Sequence, residues 1–157
     1  MIGIVPSGDL CDRPLLDRRS PADAALVAHS LAVLLVTRRL VARASTAQVR
    51  RTLHRVTPRL LAPIRRRRRD ASEIASAIDL AGRRMPGEVT CLHRALVAEA
   101  LLRRHHLPAE LHIGVRRDES IGHSVRGHAW VRSDAVVIGD ATDLAEFGDR
   151  TLAGPVI

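Results

Sequence analysis

The sequence predicts an α+β fold, and three observations carry that prediction. Apolar residues at helical spacing, punctuated by recognisable caps, fill most of the chain up to residue 84. A segment from Cys91 to about Arg104 is apolar on nearly every side, the exceptions being Arg94, Glu99, Arg103 and Arg104, so it belongs at the centre of the molecule. Period-two alternation follows: Leu111, Ile113 and Val115 against Glu110, His112 and Gly114, then a hairpin. Helices first and antiparallel strands afterwards is α+β order.

The elements follow in turn. Residues 1–19, with Gly3, Pro6, Gly8 and Pro14, form an extended lead-in. Ser20-Pro21-Ala22-Asp23 opens a helix, Ser capping, Pro at the first position and an acid in the first turn, and the helix runs to about Arg43. Its apolar run from Ala24 to Val36 is about 13 residues, short of the roughly 20 of a membrane span, so it reads as a buried core helix. Arg18-Arg19 before it and Ala42-Arg43-Ala44 after it mimic an export signal only faintly, because the leader is acidic and long.

A second helix covers Thr46 to His54 behind a Ser45 or Thr46 cap, and Pro58 and Pro63 bracket a short segment after it. Arg65 to Arg69 is a run of five arginines, read as a solvated face or a docking surface for an acidic partner. Asp70-Ala71-Ser72-Glu73 starts a helix to about Arg84 with Ile74, Ala77, Ile78 and Ala81 on one side, and Pro86-Gly87 ends it. A strand over 109–116 and a polar loop over 117–126 precede the hairpin. Leu152 to Ile157 is an apolar stub that can add an edge strand.

At 157 residues, with 46% hydrophobic and 27% charged, the chain suits one folded domain of ordinary size. All 25 basic residues are Arg, so lysine chemistry, Schiff bases included, is excluded. There is no Asn, and Gln48 is the only side-chain amide. The net charge of +8 is compatible with an acidic partner, but Trp130 and Phe147 are too few aromatics for a platform reading single-stranded nucleic acid. Cys11 and Cys91 form no disulfide framework, and a reduced, cytoplasmic setting is expected. No Cys-x-x-Cys or His-x-x-x-His pair supports a metal site, and no cofactor is expected.

The chemistry concentrates at three places. Thr90 caps the central helix and sets Cys91 at its first position, where unpaired N–H groups and the helix dipole favour a thiolate. Val131 and Val136 flank a turn centred near Asp134, which pairs 132 with 136, 130 with 138 and His128 with Asp140. Cys91, His128 and Asp140 are then nucleophile, base and orienting acid of a catalytic triad. Trp130 lies beneath the site or walls a substrate groove, and His93 and His123 take surface roles.

Cys on a central helix, His on the second following strand and Asp on the third resembles the transglutaminase-like, papain-related core. More narrowly, Cys91-Leu92 with Arg94-Ala95-Leu96, Leu101-Leu102-Arg103-Arg104, Pro108-Ala109-Glu110-Leu111, Ile113-Gly114-Val115 and His128-Ala129-Trp130-Val131 is similar to the leader peptidases of lasso-peptide biosynthesis. The resemblance covers residues 85–140. It implies a catalytic core over 85–157 behind an N-terminal helical region over 1–84, with Cys91, His128 and Asp140 as the triad. It also implies removal of the leader from a ribosomally made precursor, a separate leader-recognition protein and a macrolactam cyclase as partners, and no nucleic acid or membrane. The family often has Gly after the catalytic helix, where this chain has His105-His106. A transglutaminase-like acyltransferase using the same triad, and a non-catalytic Arg-rich adaptor, are the competing readings.

Overall fold

The computed structural model describes residues 21–60, 69–118, 124–139 and 148–151. The expectations for the lead-in, Cys11, Arg65 to Arg68, His123, Asp140, Phe147 and the terminal stub lie outside those residues.

Four helices precede the sheet: α1 Pro21–Val41, α2 Thr46–Leu60, α3 Ala71–Arg84 and α4 Cys91–Arg104. The strands are β1 Glu110–Asp118, β2 Ser124–Ser133, β3 Val136–Ile138 and β4 Gly148–Thr151, in the spatial order β3-β2-β1-β4, with every described pairing antiparallel. The α+β class therefore holds.

Every residue of α4 from Ala95 to Leu102 is buried, as the all-round apolar pattern requires of a central helix. Around it one core gathers Val33 and Leu34 of α1, Val49 and Leu53 of α2, Ile74 and Ile78 of α3, and Leu111, Ala129, Val131 and Ile138 of the sheet. The three early helices thus pack into the same apolar interior as the Cys-bearing helix.

Helix α1 is longer in its apolar character than its central run suggests. Over Asp23–Val41 it is long and apolar enough to cross a membrane by length and composition. In this fold its inner side, Leu26, His29, Ser30, Val33, Leu34 and Thr37, is buried at helical spacing. Ser30 and Thr37 return their hydroxyls to the carbonyls four residues back, which makes burial of those two polar groups tolerable.

Three sequence expectations are corrected. Helix α2 does not stop at His54 but continues through Pro58. The carbonyls near its end are taken up by Arg104 of α4, which donates to Thr57 O at 3.4 Å and Pro58 O at 3.2 Å. Arg69, the last of the arginine run, is not solvated: it is 7% exposed and donates to Asp23 of α1 at 2.5 Å and Glu73 of α3 at 3.3 Å. The strands reach further into the expected polar loop, β1 to Asp118 and β2 from Ser124, and Gly148–Thr151 forms an edge strand that the sequence reading did not include.

Candidate active site

Thr90 is the N-cap of α4, with φ −75° and ψ 164°, and Cys91 is the first helical residue. Its free thiol is half-buried, so the sulfur is neither entombed nor fully solvated. The N–H groups of a first helical turn have no carbonyl four residues back and point out of the helix end beside that sulfur.

The helix start is held from two sides. His93, three residues past the cap, turns back so that its Nδ1 accepts the Thr90 N–H at 3.2 Å and lies 2.8 Å from Thr90 Oγ1. This is a capping box with imidazole where Glu or Gln is usual. Burial, with the Arg38 guanidinium adding to it, holds His93 below its ordinary value, which favours the neutral imidazole that an accepting nitrogen requires. Arg38 of α1 donates to the carbonyl of Pro86 in the turn before α4. Gly87 in that turn takes φ +85°, and a Cβ on it would sit 2.8 Å from the Arg38 nitrogens. Sequence reasoning gave His93 a surface role and passed over Arg38. The Thr-x-x-His spacing behind an apolar run was the available signal for the first; nothing local marks the second.

The Cys91 sulfur meets the carbonyl of Gly127 at 3.9 Å. Strand β3 pairs only with Val131, Arg132 and Ser133 of β2, so at residues 127 and 128 that edge of β2 has no strand partner among the described residues. Gly127 keeps the approach open, since a Cβ there would meet nothing within 4 Å. The thiol accordingly lies against a strand edge that no described strand covers, one residue from His128.

The β1–β2 ladder is regular from Glu110↔Arg132 to Asp118↔Ser124, so side chains alternate without interruption. Leu111, Ala129 and Val131 face the core with α4, whereas His112, Trp130 and His128 share the other face. These three rings form a stacked row: His128 on Trp130 at 5.9 Å and 22°, and Trp130 on His112 at 5.4 Å and 7°. The structure therefore brings Cys91 to the backbone beside His128, while the half-buried imidazole itself lies on the sheet face opposite the one that packs α4.

The hairpin register differs from the one expected. Pairing runs Val131↔Ile138, Arg132↔Val137 and Ser133↔Val136, one residue out of step with 130 against 138 and 132 against 136. The cause is the turn: its two residues are Asp134 and Ala135, and Asp134 adopts φ 50°. Two-residue hairpin loops favour such left-handed positions, which Asp tolerates better than most residues. The ladder ends at Ile138, and Gly139 follows at φ +136° with a would-be Cβ 3.0 Å from Trp130 Cβ, a position only glycine fills without strain. Asp140, the expected third triad member, lies outside the described residues, and the pairing argument that set it opposite His128 does not apply in this register.

A thiol at a helix N-terminus beside a His-bearing antiparallel strand is an arrangement suited to covalent acyl transfer. A protein-family model described as "Transglutaminase-like superfamily" matches residues 31–149. The chain belongs to the transglutaminase-like superfamily. No curated protein and no solved structure matches it. The family match starts inside α1, takes in α2 to α4 and β1 to β3 whole, and ends halfway through β4, and so covers the helices packed around α4 as well as the strands.

Proposed function

We propose that this transglutaminase-like protein is a cysteine peptidase that removes the leader from a ribosomally made lasso-peptide precursor, with Cys91 as nucleophile, His128 as general base and acid, and Asp140 as the residue orienting the imidazole. The observation that carries the reading is the half-buried Cys91 thiol at the first position of α4, resting on the Gly127 carbonyl at an edge of β2 that no described strand covers. Superfamily membership and the run His128-Ala129-Trp130-Val131 support it.

In this mechanism the His128 side chain turns about the β2 edge, from the sheet face opposite α4, to reach the sulfur. His128 takes the thiol proton, and the sulfur attacks the scissile carbonyl at the end of the leader. The oxyanion faces first-turn N–H groups of α4, each such donor being worth about 3 kcal/mol in comparable sites. The tetrahedral adduct collapses to a thioester as the C–N bond breaks and His128 protonates the departing amine. Water then adds to the thioester, and the thiol regains its proton. Gln48 supplies no oxyanion donor in this scheme: its Oε1 accepts from Ser45 N at 3.0 Å at the start of α2. A separate leader-recognition protein delivers the precursor, and a macrolactam cyclase consumes the product, in the cytoplasm.

The test is cleavage of a precursor, presented with its recognition protein and followed by mass spectrometry. Cys91→Ala abolishes leader removal while the protein still binds its partner. Retention of cleavage by that variant ends the peptidase reading. Adding a primary amine separates hydrolysis from acyl transfer, because an amine-bearing product marks a transglutaminase-like acyltransferase.

A further inference from the structure

One side chain at the start of α4 has a bonding pattern that fixes its protonation state. Thr90 N lies 3.2 Å from Nδ1 of His93, and Thr90 Oγ1 lies 2.8 Å from the same atom. A backbone N–H only donates, so Nδ1 is the bare nitrogen of a neutral ring and the ring proton sits on Nε2. Thr90 is thereby held at both ends: its N–H by the His93 ring, and its carbonyl by the N–H of Arg94 at 3.2 Å. Cys91 follows directly, so the backbone angles of Thr90 decide which way the sulfur leaves the helix start.

Glu or Gln, the usual residues in this place, accept throughout the neutral range. Imidazole accepts only while neutral. With a proton on Nδ1, two donors face each other and the Thr90 N–H loses its partner. The surroundings oppose that proton. Burial holds His93 below its ordinary value, and the Arg38 guanidinium, the charged group that acts on the ring from α1, adds to it. The N-terminal end of α4 is itself an unfavourable place for a cation.

We propose that His93 is a positioning residue for Cys91: its neutral ring, by accepting from Thr90, sets the first turn of α4 and with it the Cys91 sulfur on the Gly127 carbonyl. The inference rests on Cys91 as the reacting group of the reading above, and not on the peptide that is cut. Without the acceptor the first turn frays, its N–H groups no longer converge beside the sulfur, and the thiolate loses part of the stabilisation that a helix start supplies. Acid does the same to the native protein, because His93 takes up its proton below pH 6.5.

Two measurements test this. Nitrogen NMR of labelled histidine at pH 7.5 shows His93 with a bare Nδ1 and a protonated Nε2; below pH 6.5 the Thr90 amide signal moves together with the ring, and in His93→Gln it does not follow that titration. Alkylation of Cys91 by iodoacetamide is followed on the Cys91 peptide by mass spectrometry, and each protein's rate at pH 7.5 is divided by its own rate at pH 9.5, so that differences in access cancel. His93→Ala lowers this ratio about three- to tenfold, the usual scale of a lost cap, while His93→Gln keeps it within about twofold of native. A residue that only supported the fold would change the melting midpoint and leave the ratio alone. A proton on Nδ1 at pH 7.5, equal ratios in His93→Ala and the native protein, or a His93→Gln ratio as low as that of His93→Ala overturns the proposal. Neither measurement uses a peptide substrate, so failure of leader removal in the same preparation counts against the peptidase reading alone.

Discussion

His29 shows what a single buried side chain does to this molecule. It is 2% exposed on the inner side of α1, its Nε2 has no partner, and burial, with Arg104 and His105 adding to it, pushes its pKa down to about 4. In the unfolded chain the same imidazole titrates near 6.5. The folded state therefore binds fewer protons between these values, so the native structure is unpenalised above pH 6.5 and loses stability as pH falls toward 4. Between pH 6 and pH 5 the loss from His29 alone is about 1 kcal/mol. Urea midpoints at pH 7, 6 and 5 test this: His29→Leu has a shallower decline with acid than the native protein. His54, His93 and His105 are also held low by burial and leave part of the decline in place. Parallel declines in the two proteins would refute the assignment. For the candidate site, the residue scale was the legible one: Cys91 and its Thr90 cap were readable because a polar cap before an apolar run is a local signal. The strand that carries His128 was legible from its alternation, but the direction of the ring needed the core to be known first.

At the scale of elements, helices were legible to within a residue or two wherever caps were local. Asp70 and Glu73 form a full reciprocal box, Glu73 N donating to Asp70 Oδ1 at 2.8 Å and Asp70 N to Glu73 Oε2 at 3.2 Å. Helix α2 was misjudged because Pro58 reads locally as a stop, whereas the group that takes up the carbonyls near the helix end, Arg104, is 46 residues from Pro58. The hairpin slipped by one residue because two- and three-residue turns differ only in whether Asp134 accepts a left-handed backbone. Strand β4 was missed because four residues, Gly148–Thr151, carry too little alternation to announce an edge. The end of α4 gives a prediction at this scale. Leu107 N bonds Leu102 O at 3.0 Å and His106 N bonds Arg103 O at 3.0 Å, a Schellman closure with His105 as C-cap. His106 occupies the left-handed position at φ 59°, where glycine has no steric penalty. His106→Gly therefore stabilises the protein by about 0.5–1 kcal/mol, the relief of strain exceeding the extra unfolded-state entropy. A midpoint roughly 1–4 °C higher in thermal melts checks it; a fall would mean that the exposed His106 side chain contributes more than its backbone costs.

For the whole molecule the decisive feature is the one acid inside the central helix. Glu99 is fully buried among apolar neighbours, and Arg50 of α2 grips it with Nε at 2.8 Å from Oε2 and Nη2 at 2.5 Å from Oε1. That fork fixes the rotation of α2 against α4, because bidentate pairing is directional where apolar packing is not. Its two ends are unequal. Glu99 has no route to water, while Arg50 retains some exposure and a long stem that can carry its charge outward. Removing the arginine therefore costs more than removing the acid: Arg50→Leu leaves a carboxylate in the core with Arg103 at 3.4 Å and the His54 imidazole at 3.9 Å to compensate, and loses about 3 kcal/mol. Glu99→Leu releases an arginine that turns to solvent, and loses about 1 kcal/mol. The double variant buries two leucines in the space of the pair and recovers to near the native value, since a hydrophobic replacement of a buried ion pair is often neutral. Urea unfolding of the two single variants and the double closes the cycle. A positive coupling of about 2 kcal/mol or more, with Arg50→Leu the worse single change, is the expected outcome; equal single losses would show that Glu99 reaches water by a path the packing of α2 on α4 does not reveal.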